Sequence, residues 1–127
     1  MELKRVVVTG LGALTPIGNN IQEYWDALKS GKSGCAPITY FDTEKFKTKF
    51  ACEIKNYDPL QHFDRKEARK LDRFAQYALV SSDQAIQDAA LDMDAIDKFR
   101  VGVIWGAGIG GIETFQNEVI NFSQGDG

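Results

Sequence analysis

The sequence predicts an α/β protein built from packed layers of helix and sheet. Two apolar runs, residues 5–9 and 100–105, each break into a glycine-rich turn. Stretches with helical apolar spacing lie between and after them. A continuous β-branched run is what a strand buried on both faces requires, because a half-exposed strand would alternate apolar with polar. Helices joining two such strands complete the layers.

Each element has its own warrant. Val6, Val7, Val8 and Thr9 carry the first strand, and Gly10, Gly12, Pro16 and Gly18 enforce a long turn after it. Asn20 followed by Glu23 resembles a capping box and starts a helix. Ile21, Tyr24, Trp25 and Leu28 give that helix one apolar face. Gly31 ends it, and Gly34 and Pro37 prevent a restart. Residues 38–57 lack a helical period and read as short strands or an extended loop. Asp64 with Glu67 opens a second helix. Its stripe of Leu71, Phe74, Ala75, Ala78, Ser82, Ala85, Ile86 and Ala89 predicts one continuous, closely packed helix to about Leu91. A polar connection over 92–98 leads to the second strand. Gly111 then opens a last helix with Ile112, Phe115, Val119 and Phe122 on one face, and residues 123–127 read as a terminal loop.

Composition narrows the function classes. The 127 residues allow one domain at most, and 43% hydrophobic content argues against disorder. A net charge of −3 does not suggest nucleic acid or an anionic membrane as partner. No apolar run approaches the roughly 20 residues of a membrane span, and no signal peptide is visible, so a cytoplasmic protein is expected. Cys35 and Cys52, seventeen positions apart, have neither metal spacing nor a Cys-x-x-Cys pair. They read as two ordinary thiols, with a disulfide disfavoured. His62 is the only histidine. Neither a metal nor a cofactor is expected.

Two motifs carry chemistry. Gly106, Gly108 and Gly111 satisfy G-x-G-x-x-G between a predicted strand and a predicted helix, which suits a dinucleotide diphosphate. Against that reading, no further strand brings a ribose-binding acid, because Asp126 lies in the terminal loop. Leu14 also occupies a place where a short-chain dehydrogenase pattern needs glycine. The alternative is that these glycines permit tight packing and an unusual backbone path. The second motif is basic. Arg65, Lys66, Arg69, Lys70 and Arg73 put five cations within nine residues, and the spacings 65/69/73 and 66/70 place them on one broad helical face. Such a face is commonly solvated, with Glu67 and Asp72 neutralising part of it, yet cations in a first helical turn oppose the macrodipole, a cost that folding alone would not select. Stacking aromatics are not interleaved, so nucleic acid fits it poorly.

These motifs, together with Phe41-Asp42-Thr43 and Lys49-Phe50-Ala51, resemble the amino-terminal part of the beta-ketoacyl-acyl-carrier-protein synthases. The likeness covers essentially the whole chain and is nearer the type II, long-chain branch than type I. It implies a thiolase-like fold, with residues 1–127 as the amino-terminal part of the first α/β/α/β/α half of an incomplete ketosynthase domain. It implies a homodimer that condenses acyl groups with malonyl-carrier by decarboxylative Claisen chemistry. On this resemblance Gly108, Ile109 and Gly110 border the acyl pocket, with Ile109 gating the fatty chain, while Ala107 and Trp105 depart from the usual pattern. Arg65, Lys66, Arg69 and Lys70 fall in the docking segment for acyl carrier protein. The Cys-His-His catalytic set lies beyond the matched segment. No catalytic role falls to Cys35, Cys52 or His62, and the chain alone is expected to be inactive. It is also expected to expose strand edges and a helix face that later sequence normally covers. A non-catalytic carrier-binding protein and a dinucleotide-binding module remain the other readings.

Overall fold

The computed structural model describes residues 3–125. Its helices start and stop where local chemistry dictates. The Asn20 side chain accepts from the Glu23 N–H at 2.9 Å and starts α1 (Ile21–Lys29). Glu23 accepts in return from the Asn19 N–H at 2.9 Å, one residue ahead of the cap. Gly31, at φ +65°, ends α1. The Gly31 N–H then reaches Leu28 O at 3.1 Å and the Lys32 N–H reaches Ala27 O at 2.9 Å, a Schellman closure. Ala27 is buried, whereas Trp25 and Leu28 on the expected apolar face stay about half exposed, at 56% and 47%.

Two compact units make up the chain. One holds the residues up to Tyr57 together with Val80–Ile96, and the other holds Asp58–Leu79 with the residues from Asp97 onward. In the first unit, β1 (Ala36–Pro37) and β2 (Phe50–Ala51) pair antiparallel with Ala36 opposite Ala51. β2 falls inside the stretch read as short strands or an extended loop, and β1 lies just ahead of it, outside that stretch.

The first unit is organised by a close approach of backbone to helix. Residues 10–13 run along α3 (Arg73–Asp88), whose residues from Val80 onward belong to this unit. A Cβ on Gly12 would lie 1.9 Å from Ser81 O, and one on Gly10 would lie 2.3 Å from Ala85 O. The small residues of the helix stripe make that approach possible. Side chains of α3 then bind the turn's backbone. Asp88 Oδ2 accepts from the Leu11 N–H at 2.9 Å, and Gln84 Oε1 accepts from the Ala13 N–H at 3.0 Å. Gln84 Nε2 also donates to Asn19 O at 2.8 Å.

In the second unit the single helix expected from Asp64 to about Leu91 is two. Asp64 Oδ1 accepts from the Lys66 and Glu67 N–H groups at 2.8 and 2.7 Å and caps α2 (Arg65–Lys70). Leu71 then turns extended, at φ −101° and ψ 125°, and α3 begins at Arg73. Buried Gln76 stabilises the break, donating from Nε2 to Ala68 O at 2.9 Å and Leu71 O at 3.0 Å. Those carbonyls are the acceptors that a helix end leaves free. At its other end, within the first unit, α3 stops at Asp88, short of Leu91, in a second Schellman closure. The Ala90 N–H reaches Gln87 O at 3.0 Å and the Leu91 N–H reaches Ile86 O at 3.2 Å. Here an alanine holds the left-handed position, at φ +49°.

Both long strands require correction. Residues 5–9 and 101–105 carry no ladder, and Val6 and Ile104 are 88% and 100% exposed. Arg100 ends a 3₁₀ turn, Lys98–Arg100, capped by Asp97. β-branched sequence favours a strand, but only a paired neighbour makes one, and no described residue pairs with either run. α4 (Ile112–Gln124) forms as expected and takes Ser123 and Gln124 out of the anticipated loop. Its apolar face of Ile112, Phe115, Val119 and Phe122 is exposed. Asp126 and Gly127 lie outside the described residues.

Three outcomes are expected for the protein carrying this chain, each read by denaturant unfolding. Gly12→Ala forces a methyl group into the Ser81 carbonyl and destabilises by about 2–3 kcal/mol. Gln76→Leu strands two carbonyls and costs about 2 kcal/mol. Ala90→Gly relieves a left-handed alanine and stabilises by about 0.5–1 kcal/mol, the relief exceeding glycine's extra entropy cost.

Candidate functional site

The basic segment folds as a short helix because Asp64 caps it and Leu71 ends it. Arg65, Lys66, Arg69 and Lys70 are all exposed on α2, and among the described residues none of the four has a carboxylate partner. Arg73 does not extend this face, since it belongs to α3. Its Nε lies 3.4 Å from Glu113 Oε2 at the start of α4.

That ion pair is one of four ties between the α2–α3 junction and the glycine turn with the start of α4. The Thr114 hydroxyl donates to Asp72 Oδ1. The Phe74 ring lies against Gly110, where a Cβ would meet its edge at 2.8 Å. Asp72 also crowds Gly111, whose Cβ position is 2.7 Å from Asp72 Oδ2. Gly111 stands at φ +66°, in the left-handed region that favours glycine, and opens α4 without a side-chain cap of its own. Asp72 thereby places a carboxylate at the positive end of α4. The cationic helix and the turn from Gly110 into the start of α4 are thus parts of one local assembly, with Asp72, Arg73 and Phe74 as its connectors.

The sequence reading did not single out Asp72 or Phe74 as connectors. The available signal was the aspartate itself, a residue type that favours a helix start. Ile109 itself is 76% exposed at the tip of the turn. Gly106 and Gly108 have open space where a side chain would go, so the close packing of this turn rests on Gly110 and Gly111.

The dinucleotide reading fares badly. Its motif was expected to follow a strand, and residues 101–107 form none. The helix start that would receive a diphosphate already faces the Asp72 carboxylate, which repels phosphate. A depression of about 370 Å³ in the first unit is lined by Ile17, Glu23, Asp26, Ala27, Ser30 and Lys32. It contains no residue nominated from the sequence. The exposed Asp26 carboxyl there is held below its ordinary range by hydrogen bonds from Lys29 and Gln22. Among the described residues no cluster of three His, Cys, Asp or Glu could hold a metal, and no helix is long and apolar enough to cross a membrane.

The chain is similar to known proteins. The chain is 47% identical over 118 residues to 3-oxoacyl-[acyl-carrier-protein] synthase 2 of Synechocystis sp., a match covering 93% of this chain and 28% of that protein. The chain therefore spans little more than a quarter of its relative's length. The ishigamide ketosynthase/chain length factor superposes with a TM-score of 0.61 at 37% identity, covering 69% of this chain and 22% of that one. A type II polyketide ketosynthase in complex with its acyl-carrier protein gives a TM-score of 0.52 over 72% of this chain and 23% of that one. Its 22% identity shows the fold alone. The fold is accordingly the thiolase-like fold of the ketosynthases, and the expected α/β class holds for it although this segment pairs only short strands. The model of the beta-ketoacyl synthase N-terminal domain matches residues 3–126, and the chain belongs to that family.

Proposed function

We propose that this chain is the part of a 3-oxoacyl-acyl-carrier-protein synthase that receives the acyl carrier protein on α2 and meets the acyl chain at residues 108–110. The observation that carries the reading is the set of four exposed cations, without a carboxylate partner among the described residues, on a helix tied through Asp72, Arg73 and Phe74 to the glycine turn. An acidic carrier would be drawn in and oriented by those charges, which act on encounter rate and register more than on raw affinity. Ile109, flanked by Gly108 and Gly110, offers apolar surface to an alkyl chain, whose every buried methylene contributes about 0.8 kcal/mol.

The reaction proposed for the whole synthase has two stages. An acyl group passes from the carrier to an enzyme cysteine. Decarboxylation of malonyl-carrier then generates a carbanion equivalent that attacks the acyl thioester. The chemistry needs an activated cysteine and hydrogen-bond donors aimed at the developing enolate. Cys35 and Cys52 flank a short ladder, and neither opens a helix that would activate a thiol. A single histidine cannot act as the family's pair. This segment's part is docking and lining. Within the synthase, residues 1–127 form the amino-terminal portion of the ketosynthase domain of a cytoplasmic homodimer.

The test is steady-state kinetics on the complete synthase carrying Lys66→Glu with Arg69→Glu. KM for acyl carrier protein should rise about tenfold, kcat should stay within about twofold, and the salt dependence of kcat/KM should flatten. An unchanged KM for the carrier would remove α2 from the docking surface. Saturable NAD(P) binding by the unmodified protein would restore the dinucleotide reading.

A further inference from the structure

Cys35 and Cys52, far apart in sequence, stand immediately outside the Ala36–Ala51 pair that ends the β1–β2 ladder. The hydrogen-bond pattern fixes what kind of pair they would make. Ile38 N–H donates to Lys49 O at 3.1 Å, so 38/49 is a hydrogen-bonded pair. Alternation along an antiparallel ladder gives 36/51 the same character and makes 37/50 a non-hydrogen-bonded pair. The ladder ends at 36/51, and the same register carried one step further sets Cys35 opposite Cys52 in another non-hydrogen-bonded position, where side chains lie closer together. The Cys35 N–H agrees with this, because it donates to Ser33 Oγ at 3.2 Å within its own segment. On the far side of the cysteines, Lys55 Nζ donates to Gly34 O at 2.9 Å and holds the two segments together again. The pair is thus bracketed by cross-links on both sides, and both thiols are exposed to a soluble oxidant.

Partners in such a register sit about 4.5 Å apart at Cα, inside the range of roughly 4.4–6.8 Å that a disulfide spans. We propose that Cys35 and Cys52 are a redox-active dithiol that closes a reversible cross-strand disulfide with a small disulfide oxidant of the glutathione class. One cysteine thiolate attacks the oxidant's sulfur and releases the first glutathione thiolate. The second cysteine thiolate then attacks the mixed disulfide and releases the other. Two protons and two electrons leave the protein thiols, and one glutathione disulfide becomes two thiols. Oxidation makes the excursion from Ala36 to Ala51, with its edge-to-face Phe41–Phe46 contact, a covalently closed loop. This inference does not depend on the carrier-docking reading.

The experiment equilibrates the native protein, and the same protein in guanidinium chloride, across a series of glutathione redox ratios. Free thiols are trapped by alkylation, and tryptic peptides are identified by mass. The expected product joins the peptide of residues 33–45 to that of residues 50–55, two mass units below the sum of the reduced peptides. In the native protein it should form at a ratio about tenfold more reducing than in the denatured one. Cys35→Ser and Cys52→Ser should each leave a glutathione adduct on the remaining cysteine and no cross-link. Equal midpoints in native and denatured protein would overturn the proposal, as would separate glutathione adducts on both cysteines of the native protein.

Discussion

The contact on which the first unit depends is the approach of the Gly10–Gly12 backbone to α3. A ladder would have satisfied the backbone of this segment with neighbouring backbone. Here the side chains of Gln84 and Asp88 take that part, receiving the N–H groups of Ala13 and Leu11. The arrangement needs two conditions at once. The turn must lack Cβ atoms where it meets the Ser81 and Ala85 carbonyls, and the helix must present amide and carboxylate groups one turn apart. Neither condition is of use without the other. With few buried side chains in the unit, this polar seam positions Asn19 and the cap of α1 more than apolar burial does.

The second unit rests on an interruption. Had residues 64–91 formed one helix, Asp72 would be an interior residue and its carbonyl would stand in an unbroken ladder. The extended Leu71, held by Gln76, ends α2 early and lets Asp72 serve the start of α4 instead. Four cations thereby sit on a helix of six residues whose far end is tied to the glycine turn. A carrier arriving on α2 would press on a segment two residues from Asp72, which gives the proposed docking surface a mechanical connection to the proposed acyl-facing turn.

Legibility in the sequence followed the range of the interactions. Asn20, Gly31, Asp64 and Gly111 act within four residues of themselves, and the helix boundaries they mark are found where the sequence places them. The cationic residues and the glycine turn were likewise legible as motifs. The strands were not, because a β-branched run states a preference that only a partner can realise. Nor was the break at Leu71, because apolar spacing continues smoothly through it and Gln76 looks like any polar helix residue. The cysteines illustrate the same rule. Seventeen positions apart they read as two ordinary thiols, and only the register of β1 with β2, carried one step past its last pair, sets them opposite each other.

The seam between Gln84, Asp88 and the glycine turn also gives the chain an internal clock. The amide hydrogens of Leu11 and Ala13 are shielded by side chains of a single helix, not by an adjacent strand. Their exchange with solvent deuterium therefore reports the opening of that helix face alone. The β-branched residues just before them, lacking any such shield, set the unprotected baseline in the same stretch of chain.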